Sequence, residues 1–146
     1  MKNQKHVGFE IRTISNLLKR NVDNFISKRH DENVTGIHGW VIGYIYKNKD
    51  KEIFQRDIEE EFSIRRSTAT TILQLMEKNN LIVRKPVNYD ARLKRLELTE
   101  KAINIHKMIN QDIIEVEKKV VKGLSEEEIR MFFEITEKIK ANLMQE

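Results

Sequence analysis

The chain has no cysteine, one proline and only five glycines among its 146 residues. Without cysteine it can form no disulfide, no thiolate zinc site and no cysteine-based redox sensor. Its longest apolar run is far too short to span a membrane, and the charged N-terminus has no apolar signal segment. We therefore expect a cytoplasmic protein without a membrane segment. It also lacks the G-x-S-x-G, H-E-x-x-H and glycine-rich phosphate-loop motifs, so we do not expect an enzyme.

Hydrophobic residues make up 39% of the chain and charged residues 34%. This balance is typical of a mostly helical protein with modest cores, and the length suits one domain with dimerisation arms. Few apolar residues are available for several long helices. We therefore expect some helices to complete their burial against a second copy of the chain.

Positive charge is concentrated in residues 63–95. That segment holds eight basic and two acidic side chains, a net charge of +6. The whole chain carries +4, so the remainder carries −2. A localised cationic surface is what a protein that grips the phosphates of nucleic acid requires.

Two short helical patterns, 55–61 and 65–78, meet at a tight turn, as in a helix-turn-helix. The second would bury Ala69, Ile72, Leu73 and Met76. Its outward face then carries five hydroxyl or amide side chains: Ser67, Thr68, Thr70, Thr71 and Gln74. A solvated helix face would more cheaply use Glu and Lys, so we interpret this face as one that contacts base edges and phosphates.

Two strand-like runs, 81–85 and 93–98, flank a predicted turn over 86–91. Such a hairpin after a helix-turn-helix is a wing, and its tip would hold Asn88, Asp90 and Arg92. Longer helical patterns occur on both sides of this segment, at 7–28, 35–47, 99–122 and from 126 onward. In the second of these helices Gly39 and Gly43 lie four residues apart, which indicates close approach by another helix or by a ligand.

The predicted fold is therefore mainly α with a small β-wing, a winged helix-turn-helix flanked by N- and C-terminal dimerisation helices. The predicted division is residues 1–34 for the N-terminal dimerisation helix, 35–99 for the DNA-binding domain and 100–146 for the C-terminal dimerisation helices.

This pattern resembles the MarR family of bacterial transcriptional regulators over nearly the full chain. The most specific marks are Asp90-Ala91-Arg92 at the wing and Leu98-Thr99-Glu100-Lys101 at the start of the next helix. Three positions depart from it: Ser63 and Asn80 stand where many members have glycine, and Ala102 stands where glycine is often found. Asn tolerates the left-handed conformation well and Ser less well.

The resemblance implies a homodimer whose recognition helices enter successive major grooves of double-stranded DNA while each wing reaches a minor groove. Arg92 would insert into the minor groove, and Asp90 would orient a neighbouring arginine, since a carboxylate facing phosphates would repel them. We expect a repressor that binds a near-palindromic operator and needs no cofactor. The predicted DNA contacts are Arg65, Arg66, Ser67, Thr68, Thr70, Thr71, Gln74, Arg84, Lys85, Arg92, Lys94 and Arg95.

Members of this family respond to small ligands, and the family default is an aromatic or amphipathic compound. The candidate pocket residues are Ile11, Ser15, His38, Trp40 and Tyr44. The alternative is that Trp40 and Tyr44 are core aromatics and that His38 is a polar residue of a first helical turn.

Two other functions remain open. One is a zinc-responsive regulator of the same fold, although no pair among His6, His30, His38 and His106 has the i, i+4 spacing of two ligands on one helix face. The other is a winged helix that binds protein, against which the +6 segment and the Ser/Thr face argue.

Overall fold

The computed structural model describes residues 5–29 and 34–145. Its elements are α1 (Val7–Arg29), α2 (Gly36–Lys47), α3 (Gln55–Glu61), α4 (Arg66–Lys78), β1 (Ile82–Val87), β2 (Asp90–Leu98), α5 (Glu100–Val121) and α6 (Glu126–Met144). The predicted fold class, mainly α with a small β-wing, is confirmed. The chain divides into two compact units, Met1–Ile113 and Ile114–Glu146. None of the helices within the described ranges has the length and apolar character needed to cross a bilayer.

The start of α2 packs closely against α1. The Gly36 N–H donates to Asp23 Oδ1 at 2.9 Å, so a carboxylate lies at the positive end of the α2 dipole. A Cβ on Gly36 would lie 2.9 Å from that oxygen and 3.1 Å from Val22 Cγ1. Glycine at this position therefore allows α1 to approach the first turn of α2.

Helices α3 and α4 form the predicted helix-turn-helix, with Ile58 of the first and Ala69, Leu73 and Met76 of the second fully buried. The turn depends on Ser63, which has φ +49°. Its N–H donates to the Glu60 carbonyl, and the next N–H, of Ile64, donates to the Glu59 carbonyl. This is the Schellman ending of a helix, in which glycine is the usual left-handed residue.

The end of α4 repeats this arrangement. Asn80 has φ +58° and donates its N–H to Glu77, while the Leu81 N–H reaches the Met76 carbonyl at 2.8 Å. Leu81 is fully buried. Ser63 and Asn80, which replace the glycines of many family members, therefore keep the left-handed backbone conformation although they carry side chains.

The wing is an antiparallel hairpin of β1 and β2, tied on its other side by a hydrogen bond from the Leu96 N–H to the Ile53 carbonyl at 2.7 Å. Its strands are longer than the predicted 81–85 and 93–98. The register pairs Pro86 with Lys94 but Val87 with Asp90, which leaves residues 91–93 as a bulge on β2. The predicted turn over 86–91 is therefore too long. Pro86 belongs to an edge strand, where its missing N–H is tolerated.

Helix α5 begins directly after Thr99, whose hydroxyl accepts from the Ala102 N–H at 3.2 Å and donates to the Asn80 carbonyl at 2.6 Å. One side chain thus caps α5 and ties it to the end of α4. The close approach predicted at Gly43 is not seen, because a Cβ there would lie 3.8 Å from His106 Cε1 of α5, an ordinary van der Waals contact.

Helix α6 begins with the predicted capping box. Ser125 Oγ accepts from the Glu128 N–H at 3.1 Å, and the Ser125 N–H donates to Glu128 Oε2 at 2.8 Å. No described residue of α6 is buried within the single chain. Phe132 and Phe133 are 55% and 58% exposed.

Candidate nucleic-acid interface

The polar face of α4 is open to solvent. Ser67, Thr68, Thr71 and Gln74 are exposed, and Thr70 is half-buried. The Thr71 hydroxyl donates to the Ser67 carbonyl at 3.1 Å, which leaves its lone pairs available as acceptors. Short side chains on this face let the helix backbone approach a partner surface closely.

The supporting helix α3 fixes the position of Thr70. Gln55 Nε2 donates to Thr70 Oγ1 at 2.9 Å and makes a longer contact of 3.4 Å with the Arg66 carbonyl. Thr70 keeps its own hydroxyl hydrogen for another acceptor. The sequence reading missed Gln55, since a single amide in the first turn of a helix carries no distinctive signal.

A groove of about 500 Å³ lies between the first turns of α3 and α4 and the wing. We call it the basic groove, because five of its ten lining residues are cationic and only Glu59 is acidic. The lining is Phe54, Gln55, Arg56, Glu59, Arg66, Thr70, Arg84, Arg92, Leu93 and Lys94. Five predicted DNA contacts therefore meet here, together with Gln55 and Arg56, which were not predicted.

The cations around the basic groove differ in their partners. Arg84 Nε lies 3.0 Å from Glu77 Oε2, and Arg56 pairs with Glu60 at 3.1 Å. Among the residues that the structure describes, no ion pair is formed by Arg65, Arg66 or Lys94. These three side chains can therefore bind a polyanion without first breaking an ion pair with a carboxylate.

Two predicted phosphate contacts lie on the other side of the hairpin. Lys85 and Arg95 are directly opposed across the strands, and both pair with Glu97, at 2.7 and 2.9 Å. The hydrogen bond from Lys85 lowers the pKa of Glu97 despite its partial burial. Because successive side chains of a strand point to opposite faces, Lys85 and Arg95 are separated from Arg84.

Asp90 and Arg92 form a bidentate pair at the wing. Arg92 Nε and Nη2 donate to Asp90 Oδ1 and Oδ2 at 3.1 and 3.0 Å, and the Arg92 N–H also donates to Oδ1 at 2.9 Å. The Arg92 side chain is 89% exposed. The arginine lowers the pKa of Asp90, and the carboxylate raises the pKa of Arg92. The carboxylate holds the guanidinium in one orientation while leaving it accessible.

The five candidate ligand residues occupy different environments. Ile11 and Ser15 are exposed on α1, and Trp40 is 41% exposed. His38 is buried, and its Nδ1 accepts from the Thr35 N–H at 3.3 Å, a helix-start contact. Tyr44 packs edge-on against Phe62, and burial, aided by nearby carboxylates, raises its pKa.

No group of three His, Cys, Asp or Glu side chains suited to a metal ion occurs among residues 5–29 and 34–145. His30 lies outside the described residues. His106 stacks on the Tyr46 ring at 4.4 Å between centroids, and burial lowers its pKa.

An exposed helix face of hydroxyl residues beside a cationic hairpin is typical of a winged-helix DNA-binding protein. The MarR family model matches residues 32–93. The transcription regulator MarR from Oenococcus oeni PSU-1 is 34% identical, with a TM-score of 0.79 over 93% of this chain and 99% of that chain. The chain belongs to the MarR family and is a DNA-binding transcription regulator rather than an enzyme.

Two other solved structures share the fold. S. aureus MepR in a DNA complex is 24% identical, with a TM-score of 0.85 over 95% of this chain and 99% of that chain. The heme sensor protein PefR from Streptococcus agalactiae, in complex with heme, is 27% identical, with a TM-score of 0.64 over 97% of this chain and 95% of that chain.

Proposed function

We propose that this protein represses transcription as a homodimer on a near-palindromic operator. The main observation that supports this proposal is the basic groove beside the exposed Ser/Thr face of α4. Arg65, Arg66 and Lys94 supply phosphate contacts, and Ser67, Thr68 and Thr71 supply contacts to base edges. Arg84, Thr70 and Gln74 complete this surface, with Lys85 and Arg95 at its periphery because Glu97 already holds them.

The wing role of Arg92 belongs to the same proposal. A guanidinium held by Asp90 loses less conformational freedom when it enters a narrow groove than a free one does. Its target is a minor groove rich in A·T pairs, where the negative potential is strongest. The S. aureus MepR complex supports DNA as the partner of this fold.

Exposed apolar surface supports the dimer. In α1, Phe9 is 68% exposed, and in α6 Phe132, Phe133 and Leu143 are more than half exposed. Apolar side chains at this density on two helices are typical of an interface between subunits. When the two subunits of such a dimer enter successive major grooves, the two half-sites lie about 34–36 Å apart. We further propose the division into N-terminal dimerisation helix, DNA-binding domain and C-terminal dimerisation helices at residues 1–34, 35–99 and 100–146.

We also propose that a small ligand modulates DNA binding. PefR, which binds heme, supports the idea that a protein of this fold takes an amphipathic ligand. The candidate residues remain Ile11, Ser15, His38, Trp40 and Tyr44. Any such ligand must bind more tightly to a dimer with one spacing of its two DNA-binding domains than to a dimer with another spacing. A regulator acting on bacterial DNA would act in the cytoplasm.

The test is selection of bound sequences from a random duplex pool, combined with a mass measurement in solution. We expect a dimer and an enriched inverted repeat. Arg66→Glu should abolish enrichment, whereas Lys47→Glu, the reversal of an exposed lysine of α2 that does not line the basic groove, should leave it intact. A monomeric protein, or a pool without an enriched repeat, would refute the proposal.

A further inference from the structure

Two neighbouring threonines of α4 use their hydroxyl groups in different ways. The Thr71 hydroxyl donates to the Ser67 carbonyl, one helical turn earlier, at 3.1 Å. The equivalent carbonyl for Thr70 is that of Arg66, but the Thr70 proton has no acceptor among the residues that the structure describes. Thr70 Oγ1 instead accepts from Gln55 Nε2 of α3 at 2.9 Å. Because a helical threonine has two common rotamers, a contact from a second helix can decide how its hydroxyl is used.

The direction of the bond between Gln55 and Thr70 follows from a second contact. Gln55 Nε2 also lies 3.4 Å from the Arg66 carbonyl oxygen, which can only accept. The amide oxygen of Gln55 has no hydrogen to donate, so the atom that faces both groups is its nitrogen. One lone pair of Thr70 Oγ1 is therefore occupied, and its O–H remains able to donate.

The Thr70 hydroxyl lies in a cationic environment. Thr70 lines the basic groove with five cationic side chains, of which Arg66 and Lys94 form no ion pair within the described ranges. Such a groove attracts an anion, and the oxygens of a DNA phosphate act only as acceptors. Thr70 is half-buried whereas Thr71 is exposed, so Thr70 is less able to reach base edges deep in a major groove. A phosphate is thus the partner that suits both its proton and its position.

We propose that Gln55 is a positioning residue, which holds the Thr70 hydroxyl so that its proton is donated to a DNA phosphate. Thr70 then contacts the DNA backbone and not the bases, and Gln55 acts through Thr70 without touching DNA itself. This role rests on the proposed function, because it requires the basic groove to face DNA.

Two physical effects make the Gln55 contact useful. Ordering one side chain on binding usually lowers affinity by about 2- to 10-fold, and a Thr70 side chain already held by α3 avoids part of that loss. A hydroxyl that accepts a hydrogen bond is also a stronger donor, because hydrogen bonds in a chain polarise one another. The chain here runs from the Gln55 amide through Thr70 to the phosphate. Removing the amide should therefore weaken the phosphate contact without abolishing it.

The test is a double-mutant cycle on the full-length protein, measured by fluorescence anisotropy on a labelled random-sequence duplex. A random duplex retains the phosphate contacts and needs no known operator. Thr70→Val removes the hydroxyl and keeps the shape of the side chain, and Gln55→Met removes the amide. Thr70→Ala removes the same hydroxyl and replaces the valine variant if that variant does not fold.

Thr70→Val should weaken binding about tenfold or more, the usual effect of losing a hydrogen bond to a charged group. The factor should be the same at each salt concentration, because a hydroxyl contact releases no counterion. Gln55→Met should weaken binding about 2- to 10-fold in the original protein but cause no further loss in the Thr70→Val background. In Thr70→Ser, which keeps a hydroxyl, the loss from Gln55→Met should persist.

The matched control is Thr71→Val. The Thr71 proton is already taken by the Ser67 carbonyl, and Gln55 donates to Thr70 instead. Gln55→Met should therefore weaken binding in the Thr71→Val background as much as in the original protein. A purely structural role of Gln55, in packing α3 against α4, would give the same loss in every background, Thr70→Val included.

Equal losses from Gln55→Met with and without the Thr70 hydroxyl would overturn the role of Gln55, and so would an unchanged affinity of either single variant. Arg66→Ala separates this role from the proposed function. If Arg66→Ala lowers the salt slope while the Gln55 and Thr70 variants bind normally, the basic groove faces DNA but Gln55 does not position Thr70. If none of the three variants changes the affinity, both the proposed DNA surface and the role of Gln55 are wrong.

Discussion

Lys94 and Lys85 belong to opposite strands of the same hairpin, but their surroundings predict different roles in DNA binding. Lys94 lines the basic groove and has no ion pair in the described residues, whereas Lys85 lies 2.7 Å from Glu97. Replacing either lysine with alanine removes one positive charge from the wing. Only Lys94→Ala should remove a phosphate contact.

The size of the effect follows from counterion release. Each phosphate contact contributes roughly 0.9 to the slope of log affinity against log salt, so Lys94→Ala should lower that slope by roughly 1 per subunit. The ratio of the variant's affinity to the affinity of the original protein therefore changes with salt. Between about 50 and 200 mM it rises about 3.5-fold for one lost contact and about 12-fold for the two lost contacts of a dimer. Lys85→Ala should give less than half the slope change, because Glu97 keeps Arg95 at 2.9 Å.

Fluorescence anisotropy of a labelled random-sequence duplex at several salt concentrations measures both slopes. A random duplex isolates the phosphate term, since base contacts differ between molecules of the pool. The prediction is refuted if the two variants change the salt slope equally, or if Lys85→Ala changes it more. Proximity to a carboxylate would then not determine which wing lysine contacts DNA.

Three further predictions concern single positions. Arg92→Ala should weaken binding most at duplexes with a narrow A·T-rich minor groove, as measured by anisotropy on matched A·T- and G·C-rich sites; an equal loss on both would contradict the wing assignment. Ser63→Gly should raise the free energy of unfolding in urea by about 0.5–1 kcal/mol, because the left-handed conformation costs a side-chain-bearing residue about 1–2 kcal/mol and glycine's extra chain entropy offsets part of this. Asn80→Gly is its control and should gain less. Burial lowers the pKa of His106, so the unfolded chain takes up its proton first as the pH falls. Stability should therefore decline as the pH drops below about 6.5, with no such contribution above it, and the melting temperature of His106→Gln should depend less on pH across that range.

Much of the architecture follows from local sequence pattern. Helical periodicity and end signals determine where helices run, which is why the Ser125 capping box and the start of α5 at Thr99 agree with expectation. The outward face of α4 follows from the positions of Ala69, Leu73 and Met76, since burying these three leaves the hydroxyl residues outside.

The wing was predicted less well, for a definite reason. Proline at position 86 suggested that the first strand ends early, but strand pairing continues past it to Val87 and forces a bulge at residues 91–93. Strand register depends on the partner strand and the neighbouring segment at Ile53, which local sequence does not contain.

The order of amino acids alone determined the helices, the polar outer face of α4, the concentration of positive charge and the family. Only the tertiary structure decided which cations are held by carboxylates and which face open grooves. Lys85, Arg95 and Glu97 are brought together by strand pairing, whereas Gln55 reaches Thr70 across fifteen positions of chain. Charge is a property of each residue, but the partner of a charge depends on contacts between distant segments, which only the folded chain creates.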